Sequence, residues 1–207
     1  MGAVDKVPVS GPPSDAARMA VLLAVDDMLV EEGYAAMTMK GIAARAGVGK
    51  QTVYRWWSSK AEILFEAVMQ DAATELVVDP ASTSGQEIDL FLDAVVRFLT
   101  TSHAGAAYRA LVGEAQHDAK VADLVRSSDA LVIAAMPVLR RAVARGDLPP
   151  DLDLSEAAVD LVAPTAFRIF AGLAETRTRA SGIAFIARYA GQVGRGGALA
   201  NRPWDAR

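Results

Sequence analysis

Apolar residues in this 207-residue chain recur at spacings of three and four almost from end to end, and no segment alternates apolar with polar residues as a half-buried strand would. That property restricts the fold to helices packed on helices. A 3.6-residue period gathers apolar side chains into one stripe on a helix but scatters them over both faces of a strand. The first helix is expected from Ser14 to Glu32, with Val21, Val25, Met28 and Leu29 on one face and Gly33 ending it. Short helices follow at Met39–Ala46, capped by Thr38, and at Lys50–Trp57. Ser59 and Glu62 read as a capping box opening a long helix to about Val78. After a loop from Asp79 to Gly85, helices are expected at Gln86–Ser102 and Ala106–His117. One long helix, Lys120–Arg145, should be kinked or broken by Pro137. A second capping box, Asp153 to Glu156, opens a helix to about Glu175, and a final helix spans Arg179–Val193.

Hydrophobic residues make up 52% of the chain and charged residues 22%, enough for a substantial core. The absence of cysteine excludes a disulfide scaffold, thiolate metal sites and a cysteine nucleophile. No apolar run is long enough to span a bilayer, and the start, MGAVDKVPVSGPPSD, has no hydrophobic signal region, so a soluble, cytoplasmic protein is expected. His103 and His117 have no spaced partner, and neither a metal-binding motif nor a nucleotide-binding glycine loop occurs. No enzyme activity and no cofactor are expected. The net charge of −4 conceals a local excess: residues 38–60 hold Lys40, Arg45, Lys50, Arg55 and Lys60 and no acid. A concentrated basic segment on an acidic chain suits a phosphate backbone.

That basic segment has a helix-turn-helix skeleton. Ile42 and Ala43 face inward from its first helix, Gly47 supplies the turn, Val48 fills the gap, and Val53 with Trp56 or Trp57 faces inward from its second. The stretch TMKGIAARAGVGKQTVYRWWSSKAEIL resembles the DNA-binding head of the tetracycline-repressor (TetR) family of bacterial regulators, and the likeness extends over residues 14–74. Two positions depart from the family's habit. Gly49 stands where a Ser or Thr cap is common, and Gln51 where glycine or alanine is common. The start, rich in Pro, Gly and Ser, is expected to be a mobile tail at 1–13, and the resemblance implies an all-α protein with a DNA-binding domain at 14–74. A helical effector-binding and dimerisation domain would follow at 75–194, then a loose tail at 195–207.

The resemblance also implies roles. The helix from Lys50 would enter the major groove, with Lys50, Gln51, Thr52 and Arg55 meeting base edges. Thr38, Lys40, Tyr54 and Lys60 would hold phosphates, which fix register rather than sequence. Trp57, four residues after Val53, shares its inward face, whereas Trp56 stands at the boundary and is expected to touch the DNA backbone. Arg45 is expected to be an ordinary surface charge.

In the body, the helix from Ser155 is apolar over most of its circumference, as in a helix buried on two sides. The family's four-helix dimer seam would then use Val159, Val162, Ala166, Phe170, Ile183, Ile186, Tyr189 and Ala190. An effector pocket would draw on Phe91, Phe98, Tyr108, Met136, Phe167 and Phe170. The expectation is a homodimeric, ligand-responsive repressor that binds double-stranded operator DNA, with a largely apolar small molecule as effector and no membrane partner. The alternatives are a helical small-molecule receptor that does not bind DNA, and a regulator without an effector.

Overall fold

The computed structural model describes residues 15–173 and 182–190. Its helices are α1 (Asp15–Glu32), α2 (Met39–Arg45), α3 (Lys50–Trp56), α4 (Lys60–Glu75), α5 (Ser84–Thr101), α6 (His103–Glu114), α7 (Ala119–Ser127), α8 (Ala130–Ala144), α9 (Leu154–Phe170) and α10 (Gly182–Ala190). No strand occurs among the described residues. The chain forms two compact units, one up to Ala67 and one from Val68. The division falls inside α4, short of the boundary expected at residue 74.

In the first unit, α1 buries Val21, Leu22, Ala24, Val25 and Met28. Gly33 (φ 76°) ends it in the left-handed conformation that costs glycine nothing. Thr38 caps α2 by accepting from the Gly41 amide at 3.0 Å. Gly47 (φ 67°) makes the turn into α3. Ile42, Ala43, Val53 and Trp57 are buried, as their spacing requires. The capping box expected at α4 forms on one side only. The Glu62 amide donates to Ser59 Oγ at 3.3 Å, but the Glu62 carboxylate reaches back to Ser58, accepting from its amide at 2.7 Å and from its hydroxyl.

In the second unit α5 is the central helix. It packs against α6, α8, α9 and α10 and buries Ile88, Phe91, Leu92, Val95, Phe98 and Leu99. At its start α10 comes so close that a Cβ on Gly182 would lie 2.1 Å from the Gly85 carbonyl oxygen, so only glycine fits there. Across the same core, the fully buried Glu87 carboxylate accepts from Arg141 and, at 2.7 Å, from Arg145. Burial pushes this carboxyl up, but the arginine hydrogen bonds outweigh it and hold the group below its usual range.

The expected single helix from Lys120 to Arg145 is two helices, and the break is not at Pro137. Ser128 leaves the helical region (φ −157°, ψ 62°), and Asp129 caps the next helix by accepting from the Leu131 and Val132 amides at 2.9 and 3.1 Å. Pro137 lies inside α8. Its missing N–H would have bonded the carbonyl of Ile133, an exposed residue, where water can take over. Pro164 is accommodated within α9 in the same way, at an exposed position.

Candidate nucleic-acid interface

Helix α3 is seven residues long and has Val53 as its single buried residue. A helix this short has little stability of its own in water, so its position depends on tertiary anchors. Its Gly49 N-cap supplies no side-chain hydrogen bond. What holds it is Val53, which has no exposed surface, and Trp57 just past its end, which is 4% exposed. The Trp57 indole N–H donates to Glu66 of α4 at 2.9 Å. Arg18 of α1 grips the same carboxylate with two hydrogen bonds, of 2.6 and 2.7 Å, and its guanidinium lies 5.6 Å from the Trp57 ring centre. Trp56 is half-buried and packs edge-on against Trp57, with ring centres 5.2 Å apart.

The opposite side of α3 faces solvent. Lys50, Gln51, Tyr54 and Arg55 are exposed there, and Thr52 is half-buried. Gln51 and Arg55 make no hydrogen bond or ion pair among the described residues, nor does Lys40 of α2. Lys50 lies over the Tyr54 ring at 5.4 Å from its centre, which extends both side chains along one face. Thr38 is exposed, and because its oxygen accepts from Gly41, its hydroxyl hydrogen is still available to donate.

Lys60 is placed differently from the expectation. Its ammonium donates to the backbone oxygens of Tyr34 (2.7 Å), Met37 (3.1 Å) and Ala35 (3.5 Å) and sits 4.2 Å from the centre of the Tyr34 ring. An ammonium has three donors, and these carbonyls use them all. In this geometry Lys60 ties the α1–α2 connection to α4 rather than presenting a cation to solvent. Arg45, expected to be a surface charge, pairs with Glu31 at 2.5 Å and lies 3.9 Å from Asp27, both on α1. Of the five cations between residues 38 and 60, Lys40, Lys50 and Arg55 are therefore the ones that reach solvent uncommitted to an acid or a carbonyl.

In the second unit the expected seam residues separate into two sets. Val162 (4%), Ala166 (8%) and Tyr189 (6%) are buried within their own chain, so they have no surface to offer a partner. Tyr189 is held inward by its hydroxyl, which donates to Asp160 at 2.7 Å. Val159, Phe170 and Ile183 are exposed, Ile186 is half-buried, and the side chain of Ala190 lies outside the described residues. Phe167, expected in a pocket, is 68% exposed and belongs with this outer face: Val159, Ala163, Phe167 and Phe170 recur at four, four and three residues along one side of α9.

Phe91 and Phe98, also expected in a pocket, are fully packed core residues, and Met136 is half-buried. Tyr108 is buried between Phe98 and Phe170, with ring centres 6.4 Å from each, and its hydroxyl donates to Asp129 at 2.6 Å. An open cleft of about 460 Å³ lies elsewhere, against Pro80, Ala81, Ser82, Gln86, Asp89, Leu90 and Asp93. Sequence reasoning did not single out Thr165, whose buried hydroxyl has no hydrogen-bond partner among the described residues. A threonine at helical spacing carries no signal of such a state.

Residues 22–67 match the family described as bacterial regulatory proteins, tetR family, and residues 80–184 match the tetracyclin repressor-like C-terminal domain. The chain is 33% identical over 153 residues to the HTH-type transcriptional regulator YdeS of Bacillus subtilis, covering 73% of this chain and 76% of that one. It is likewise 33% identical over 142 residues to the DNA-binding transcriptional repressor TetR of Mycobacteroides abscessus, covering 66% and 73%. Among solved structures, the TetR family transcription regulator SCO0332 superimposes with a TM-score of 0.64 at 26% identity, covering 88% of this chain and 99% of that one. No described helix is long and apolar enough to cross a membrane. A helix-turn-helix with uncommitted donors on its outer face, followed by a matching helical body, makes this chain a member of the TetR family of DNA-binding transcriptional regulators, which are not enzymes.

Proposed function

We propose that the protein is a cytoplasmic homodimeric repressor that reads a two-fold operator through α3 and leaves it when a small molecule binds the second unit. The observation that carries the DNA-reading part is the outer face of α3, where Lys50, Gln51, Tyr54 and Arg55 stand exposed on a helix anchored from behind by Val53 and Trp57. Arg55 or Lys50 suits guanine and Gln51 suits adenine, whereas Thr38, Lys40 and Tyr54 suit phosphates. Trp56, half-buried beside Trp57, touches the backbone at the edge of this surface. Selecting bound duplexes from a random pool with the purified chain tests the reading. An enriched palindromic site supports it, and no enrichment over input refutes it.

Dimerisation is supported by the outer face of α9, where Val159, Phe167 and Phe170 are exposed; on α10, Ile183 is 73% exposed as well. Large apolar side chains gathered on one face are costly to leave in water, and a two-fold partner would cover them. It would also bring two copies of α3 to successive half-sites.

The effector part rests on two features of the second unit. The rings of Phe98, Tyr108 and Phe170 form one aromatic cluster, with the Tyr108 hydroxyl as a polar group at its edge. The buried Thr165 hydroxyl has a hydrogen bond to offer. Each suits one part of a largely apolar molecule that carries a hydrogen-bonding group. A hundredfold loss of operator affinity requires about 2.7 kcal/mol of differential binding, and operator must weaken the effector by the same factor. Calorimetric titration of a releasing compound with and without operator checks this, and equal affinities would refute release by that compound.

A further inference from the structure

In the first unit, one carboxylate connects two helices, α1 and α4, to the end of α3. Glu66 of α4 accepts two hydrogen bonds from Arg18 of α1 and one from the indole N–H of Trp57, the residue that follows α3. Arg18 also covers the Trp57 ring, and Trp57 supports Trp56 edge-on. Burial pushes the Glu66 carboxyl up, but the hydrogen bonds from Arg18 and Trp57 prevail and hold it ionised below its usual range. The carboxylate is thus present as an acceptor throughout the neutral range.

Apolar contact alone does not fix how such a ring sits. An indole in an apolar slot can turn about its χ2 axis and fill a similar volume, since that torsion is broad. The bond to Glu66 is directional and selects one orientation. This matters because α3 has few other restraints: one buried residue, an N-cap without a side-chain bond, and a backbone that becomes extended at Trp57 (φ −133°, ψ 135°). We infer that Glu66, held by Arg18, is a positioning residue for DNA reading: through the Trp57 indole it sets the pitch at which α3 presents Lys50, Gln51 and Arg55 to base edges. The inference rests on the DNA-reading role proposed above.

Base contacts and phosphate contacts answer differently to a small tilt. Bidentate bonds to base edges need fixed geometry, whereas lysine and tyrosine contacts to phosphates tolerate displacement. The test compares the full-length chain with Trp57→Phe, Glu66→Gln, Glu66→Ala and Arg18→Met. Each is titrated by fluorescence anisotropy against the selected operator and an unrelated duplex, well below its melting temperature, with circular dichroism confirming the folded state. Trp57→Phe keeps the ring but removes the donor. Its operator affinity should fall about tenfold to a hundredfold, as expected for one base contact per half-site, with the unrelated duplex nearly unchanged. Glu66→Ala should match it, and the Trp57→Phe/Glu66→Ala pair should be no worse than the weaker single variant. Glu66→Gln, which keeps an oxygen for the indole, should recover part of the loss. Arg18→Met should fall between wild type and Glu66→Ala.

If Glu66 serves stability alone, the variants will melt earlier but bind both duplexes like wild type once folded, and that result overturns the inference. Equal losses on both duplexes overturn it as well. Should Glu66→Ala fail to fold, Trp57→Phe and Glu66→Gln decide the question by the same comparison. A wild-type chain without preference for any duplex would instead refute the DNA-reading proposal on which this one depends.

Discussion

Phe167 and Val162 lie five residues apart on α9 and should respond to mutation in opposite ways. Phe167 is 68% exposed in the single chain, whereas Val162 is 4% exposed. Burying a whole phenylalanine side chain contributes roughly 1.5–3 kcal/mol, so covering the exposed two-thirds of Phe167 is worth about 1–2 kcal/mol. A two-fold seam counts every residue twice, so Phe167→Ala should cost the dimer about 2–4 kcal/mol, which is about 30- to 700-fold in its dissociation constant. Phe167→Asp should be worse, since it would place two unpaired charges in the seam. Neither change should lower the thermal stability of the isolated chain, because Phe167 makes little contact within it. Val162→Ala should do the reverse, losing about 2 kcal/mol of folding stability with the dimer constant nearly unaltered. Sedimentation equilibrium across a concentration series, paired with thermal melts under dissociating conditions, separates the two. A Phe167→Asp protein that stays dimeric would place the seam elsewhere, and a native protein monomeric at micromolar concentration would remove the seam altogether.

The DNA-facing residues should also divide. Arg55→Ala and Gln51→Ala should each relax preference at one position per half-site, by about 1–3 kcal/mol for a good bidentate contact, read by competition with single-base operator variants. Lys40→Ala and Tyr54→Phe should weaken all duplexes alike. Loss of the Lys40 charge should also reduce the slope of log affinity against log salt by about 0.9 per half-site. In the second unit, Glu87→Gln leaves Arg141 and Arg145 without their counter-charge. Removing one partner of a buried pair costs roughly 3–5 kcal/mol, and because both arginines reach water the loss here should be about 2–3 kcal/mol in chemical denaturation. Because the native Glu87 carboxyl is held below its usual range, its contribution should be complete above the ordinary carboxylate range and should vanish as pH falls through the lowered native value, so the variant and wild type should converge in stability in strong acid. Thr165→Val removes a buried hydroxyl that has no described partner; it should leave stability unchanged or raise it by about 1 kcal/mol while weakening the releasing effector, and unchanged effector affinity would remove Thr165 from the site.

Sequence alone determined the helical class, the helix-turn-helix at residues 38–57 and the inward position of Val53 and Trp57. Those features depend on local periodicity, on a glycine able to take positive φ, and on spacing along a single helix, all of which are short-range. It also marked the outer donors of α3, since residues opposite a buried Val53 on a short helix have only solvent to face. It could not divide α9. Nearly every position on that helix is apolar, so composition did not show that Val162 and Ala166 turn inward while Phe167 turns out; packing against α5 and α8 decided it. The break at Ser128–Asp129 was missed in favour of Pro137, because a proline is visible in sequence whereas a capping aspartate paired with Tyr108, 21 residues away, is not. Lys60 and Glu66 show the same limit most plainly. Each is an ordinary charged residue on α4 by sequence, and each acquires its role from groups that tertiary folding brings to it: the Tyr34 and Met37 carbonyls for Lys60, Arg18 and the Trp57 indole for Glu66. A charge and its partner are recognised by distance in space, and distance along the chain carries almost no information about it.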